Sequence, residues 1–156
     1  MLIVMTLLDA QQPDLARERR RRKIISTIII AVLVIGVVVW RFRYWPEEHV
    51  VDKFFSELGQ KNYEAAYGVW MHDPSWKQHP NKYTNYSYSD FYRDWGPGGE
   101  WGLVKSHSVD CALGTKEGTG VIMQVTVNGR AEHPYLYVDK SDKSMSFSPT
   151  ELRCGS

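Results

Sequence analysis

The sequence predicts an α+β protein: an N-terminal transmembrane helix, then two to three helices packed on an antiparallel sheet of four strands. Three observations carry that reading. A charge-free apolar run stands near the N-terminus. Apolar residues between Val50 and Trp95 recur at helical spacing. From Trp101 onward the period changes to two, with turn signals between segments.

The apolar run, Ile24 to Trp40, reads IISTIIIAVLVIGVVVW, seventeen residues without a charge. At about 1.5 Å per residue it spans roughly 25 Å, slightly short of a hydrocarbon core about 30 Å thick. Phe42, Tyr44 and Trp45 extend it, and Arg41 and Arg43 can snorkel to the interface, so the expected span is 24–45. Trp40, Tyr44 and Trp45 form an interfacial aromatic belt. The β-branched residues are poor helix formers in water, but in lipid the backbone must satisfy its own hydrogen bonds. A buried core helix is a poor fit, because little else in the chain could cover so long an all-round apolar rod. No A-x-A-like cleavage site follows, so the run reads as an uncleaved signal-anchor.

Charge gives the anchor a direction. Residues 1–45 hold eight Lys/Arg against three acids, net +5; the remainder holds eleven against fifteen, net −4. Arg17, Arg19, Arg20, Arg21, Arg22 and Lys23 precede the run and only Arg41 and Arg43 follow it closely. The positive-inside rule predicts a cytoplasmic basic arm (1–23) and an extracytoplasmic domain (46–156), periplasmic in a bacterium. The six bases are also candidates for contact with anionic lipid headgroups. Met1–Leu8 is apolar but too short to span, and Met5 is an alternative start. The mildly acidic body is a poor nucleic-acid binder, since phosphate contacts need clustered Lys/Arg, so no nucleic-acid partner is expected.

Pro46 suits a first helical turn, with Glu47 and Glu48 complementing the positive end of the dipole. Val50, Val51, Phe54, Phe55 and Leu58 continue at helical spacing, and Gly59 is the expected stop. A second helix begins near Asn62, with Tyr63, Ala66, Tyr67 and Trp70 on one face. No flexible tether separates anchor from domain, so the domain is expected close to the membrane or to a neighbour in it. Residues 71–87 read as loop. Ser87 and Asp90 form a capping pattern for a short helix bearing Tyr88, Phe91, Tyr92 and Trp95. Gly96-Pro97-Gly98-Gly99 closes it; without a lysine and a following helix this is a turn, not a phosphate loop.

In the strand region Leu103, Val109, Cys111 and Leu113 are assigned one face of a first strand. Val121, Met123, Val125 and Val127 are assigned one face of a second. Asn128-Gly129 predicts a two-residue hairpin that would pair Ile122 with Tyr135 and Gln124 with His133. A third strand runs from Tyr135 to Val138 and a fourth from Met145 to Ser148.

Val51 to Tyr67, with the junction Lys61-Asn62-Tyr63-Glu64-Ala65-Ala66-Tyr67, resembles the opening helices of nuclear transport factor 2-like domains. Trp95-Gly96 and Trp101-Gly102-Leu103-Val104 also match that pattern, and the resemblance covers residues 47–150. It implies a cone-shaped domain whose sheet is curved and can enclose a pocket. It implies no single activity, because that fold hosts isomerases, dehydratases, binding modules and scaffolds.

No catalytic or metal motif is present in the sequence, and no cofactor is predicted. His72, Asp73 and His79 lack metal-ligand spacing and read as solvated loop residues. Cys111 and Cys154 are the only cysteines. Both fall in the part predicted to be outside, where a disulfide can persist; Cys111 reads equally well as core. Tyr83, Tyr86, Tyr88, Tyr92, Trp95 and Trp101 form the expected contact surface, because several tyrosine hydroxyls in one stretch are hard to bury. The function expected from these features is a non-catalytic, membrane-anchored interaction domain, an accessory or structural subunit among other membrane-protein subunits. The alternative is a small-ligand binder or isomerase-type enzyme using a cone-shaped apolar cavity.

Overall fold

The computed structural model describes residues 15–79, 81–152 and 154. The apolar stretch Met1–Leu8 and the choice between Met1 and Met5 lie outside them. The chain divides into two compact units, residues 1–43 and 44–156.

The first unit contains one long helix, α1 (Leu15–Arg41). Its large apolar side chains from Ile24 to Trp40 are 48–65% exposed. It is long and apolar enough to cross a membrane. The basic run is part of the same helix, and Arg22 meets Glu18 one turn earlier at 3.7 Å. The helix stops at Arg41, short of the Trp45 expected from sequence. Phe42–Tyr44 form a turn, and Trp45 already opens the next helix.

The second unit is α+β. Its helices among the described residues are α2 (Trp45–Gly59), α3 (Tyr63–Trp70) and α4 (Tyr88–Trp95), with a 3-10 turn at Trp76–Gln78. Four strands follow: β1 (His107–Gly114), β2 (Gly120–Val127), β3 (Tyr135–Asp139) and β4 (Met145–Phe147), antiparallel in the order β1-β2-β3-β4. Pro46 sits in the first turn of α2, where its missing N–H costs nothing. The left-handed residue beyond α2 is Lys61 (φ 61°), not Gly59. Asn62 precedes α3, but its amide donates back to Glu57 Oε2 at 2.9 Å instead of capping. At α4 the capping box is complete, with Ser87 and Asp90 exchanging backbone-to-side-chain bonds.

One face of the sheet is covered by the helices. Val121, Met123, Val125 and Val127 of β2 and Leu136 and Val138 of β3 are fully buried there. They meet an aromatic cluster centred on Phe54, whose ring lies within 5.0–6.1 Å of Phe55, Trp70, Phe91 and Trp95. Removing an indole from such a cluster costs about 3–5 kcal/mol.

Two details of the sheet differ from the expected register. A bulge at Asp110 sets Val109 opposite Val125 but Cys111 opposite Gln124. An extra residue reverses alternation, so Val109 and Ala112 pack on the core while Cys111 and Leu113 face the other side. Leu103 lies before the strand and is exposed. Asn128 and Gly129 do take left-handed conformations, and Arg130 N–H closes the turn on the Val127 carbonyl at 3.1 Å. The ladder then resumes only at Tyr135, so Ile122 opposes Tyr137 and Gln124 opposes Tyr135. The slip from the expected pairing is two residues, an even number, so the same side chains still face the core. Asn128 explains the longer loop: its carbonyl oxygen accepts from Lys105 and Ser106 N–H, and its amide donates to the Leu103 carbonyl.

Candidate functional site

The tyrosine-rich segment does not form one surface. Trp95 and Trp101 are 1% and 7% exposed and belong to the core, so neither is available as a contact residue. Trp95 packs edge-on against Phe54 at 5.0 Å and Phe55 at 5.7 Å, and Trp101, in the turn after α4, stacks on Trp95 at 6.4 Å. The four tyrosines divide between two sides. Tyr88 stacks on Trp76 at 5.0 Å and Tyr92 meets Tyr63 edge-on at 5.1 Å. Of the six residues Tyr92 alone is largely exposed.

Tyr83 and Tyr86 turn the other way. They line a groove of about 490 Å3 between the end of α3, the loop before α4 and β4. Trp70, Met71, Met145 and Phe147 supply its apolar wall, and Lys82 and Asn85 its polar rim. Phe147 is 46% exposed although its ring stacks over Trp95 at 5.8 Å and meets Trp70 at 5.1 Å. Trp70, Met71, Met145 and Phe147 are absent from the contact set expected from sequence. Trp70 reads from sequence as the apolar face of α3, and Met145 and Phe147 stand at the ends of a three-residue strand, so neither pattern marks a groove.

Hydrogen bonds fix the two groove tyrosines. The Tyr83 hydroxyl donates to Asp73 Oδ2 at 2.8 Å, and that carboxylate also accepts from Ser75 N–H and meets His79 Nδ1. Tyr86 donates to Asp94 Oδ2 at 3.0 Å, while its carbonyl accepts from Tyr67 at 2.6 Å. Burial, then the bond to Asp94, pushes the Tyr86 phenol far above its ordinary range. The Tyr83 bond is the main cause holding Asp73 below the usual carboxylate range. Tyr83 likewise raises Lys82. Each displacement runs away from neutrality, so these groups keep one charge state and serve as fixed donors and acceptors.

A second groove, about 550 Å3, runs over α2 and α3 with Val50, Ala65 and Val69 in its floor and His49, Lys53 and Glu64 around it. On the outer sheet face Asp110 accepts from Thr126 at 2.8 Å and from Gln124 at 3.2 Å, and His133 Nδ1 lies 3.1 Å from the Thr126 hydroxyl. Gln124 and His133 are therefore joined through Asp110 and Thr126, not as cross-strand partners. His107 is on the core side, stacked on Phe55 and 3.3 Å from Asp52. Among the described residues no cluster of His, Cys, Asp and Glu could hold a metal ion. Cys111 and Cys154 form a disulfide with Cα atoms 5.8 Å apart.

The chain matches no protein-family description, no curated protein and no solved structure.

Proposed function

We propose that this is a single-pass membrane protein whose α1 spans the bilayer, with a cytoplasmic basic arm and an extracytoplasmic domain that acts as a non-catalytic interaction module. The observation that carries the reading is α1 itself: thirteen large apolar side chains between Ile24 and Trp40 stand exposed on one charge-free helical stretch. Water does not tolerate such a surface, and a lipid environment removes its cost. The charge asymmetry across α1 supports the orientation. Arg17 and Arg19–Lys23 would meet anionic headgroups on the cytoplasmic side.

The groove beside β4 supports a binding role over catalysis. It offers rings and fixed hydrogen-bond partners, the composition favoured at the centre of protein interfaces. The nuclear transport factor 2-like resemblance fits helices laid on one face of a four-stranded sheet. The isomerase reading gains less support, because the space between helices and sheet is packed with Phe54, Phe91, Trp70 and Trp95. Co-purification from native membranes in mild detergent tests the proposal. Other membrane-protein subunits should accompany the protein in fixed ratio, and a clean monomer would count against it.

A further inference from the structure

We propose that Pro149–Leu152, tied down through Cys154, form a disulfide-buckled strap over the outer face of the sheet, released by reduction. Cys111, Gln124 and Tyr135 form one row across β1, β2 and β3. Ser148 N–H bonds to the Tyr135 carbonyl at 2.8 Å, which places the exit of β4 on the same row. Gln124 alternates with buried Met123 and Val125, so its side chain and that of Cys111 opposite it point to the face away from the helices. From Ser148 the chain must return to Cys111 across three strand spacings, about 14 Å, and six further residues can reach roughly 20 Å. The path therefore crosses the sheet.

Leu152 supplies the second observation. It is 8% exposed yet stands outside the core cluster formed by helices and sheet. A leucine on this segment is covered when the segment lies flat on the outer face. Leu113, on the same outer face, is 54% exposed. Both cysteines are partly exposed, so a reductant can reach the bond.

Release needs a dithiol reductant. Its thiolate attacks one sulfur of the Cys111–Cys154 bond, forming a mixed disulfide and freeing the other sulfur as a thiolate. The second thiol of the reductant then displaces the first protein sulfur. Two electrons pass to the protein bond, the reductant leaves as a disulfide, and its two protons end on Cys111 and Cys154. The sheet stays folded because its buried side chains belong to the other face. This inference does not depend on the membrane reading.

The test uses full-length protein in detergent micelles, with leucine methyls observed by NMR in the presence of a soluble paramagnetic agent. In the oxidised protein Leu152 should be shielded like buried Leu136. After dithiothreitol its relaxation enhancement should rise to the level of exposed Leu113, with Leu136 still shielded. Cys154→Ser should reproduce that state without reductant. Continued shielding of Leu152 in either sample overturns the proposal. So does exposure of Leu136 along with Leu152, because the bond would then hold the whole fold and not a strap.

Discussion

Lys143 donates to Glu47 Oε1 at 2.6 Å, joining the first turn of α2 to the β3–β4 turn across 96 positions of sequence. The Glu47 side chain is 5% exposed and that of Lys143 29%, so the carboxylate is the group at risk if the pair is broken. Lys143→Met should cost roughly 3 kcal/mol by leaving a buried unpaired charge. The double variant Glu47→Gln with Lys143→Met should recover most of that loss. Urea denaturation of the four proteins checks the cycle; additive losses would show that the two residues do not act as a pair.

The turn after α4 gives a contrast between neighbouring glycines. A Cβ on Gly99 would collide with the Asp94 carbonyl oxygen, whereas one on Gly98 meets nothing within 4 Å. Gly99→Ala should therefore destabilise by about 2–3 kcal/mol, and Gly98→Ala by less than about 0.5 kcal/mol. Thermal unfolding of the two variants decides it, and equal losses would refute the close approach.

Asp73 predicts an acid dependence. Its folded-state pKa lies below the unfolded value, so its stabilising contribution is present above about pH 4 and is lost as pH falls through the lower, folded value. Tyr83→Phe removes the main cause. The Asp73 carboxyl should then titrate closer to its ordinary value, and acid unfolding should begin at higher pH. A carboxyl-carbon NMR titration measures both, and an unchanged Asp73 midpoint would contradict the assignment.

Much of this architecture was readable from residue order, and the exceptions have physical causes. The alternation Val121, Met123, Val125, Val127 specified a strand with one buried face, and the structure places all four in the core. The Ser87–Asp90 cap was equally local. The bulge at Asp110 was not legible, because one extra residue leaves composition and apolar content unchanged while exchanging the faces of Cys111 and Leu113. The Asn128 turn was visible, but its side-chain bonds to residues 103–106 lie more than twenty positions away. For the candidate groove, the density of rings in the sequence singled out Tyr83 and Tyr86, which line it. Trp70, Met71 and Phe147 join them only through tertiary packing.

Asn85 lines the rim of that groove in an exposed loop. Asn85→Arg should reduce the recovery of co-purifying subunits while leaving the unfolding temperature unchanged, as surface substitutions usually alter stability by less than about 0.5 kcal/mol. Undiminished recovery would move the contact surface elsewhere.

Protease protection in sealed membrane vesicles of known sidedness, followed by an alkaline carbonate wash, tests the anchoring of α1 most directly. The protein should stay with the membrane after the wash. Protease on the extracytoplasmic side should digest residues 46–156 and spare a tag on the N-terminus. Release by carbonate, or digestion of both ends from one side, would contradict a spanning helix.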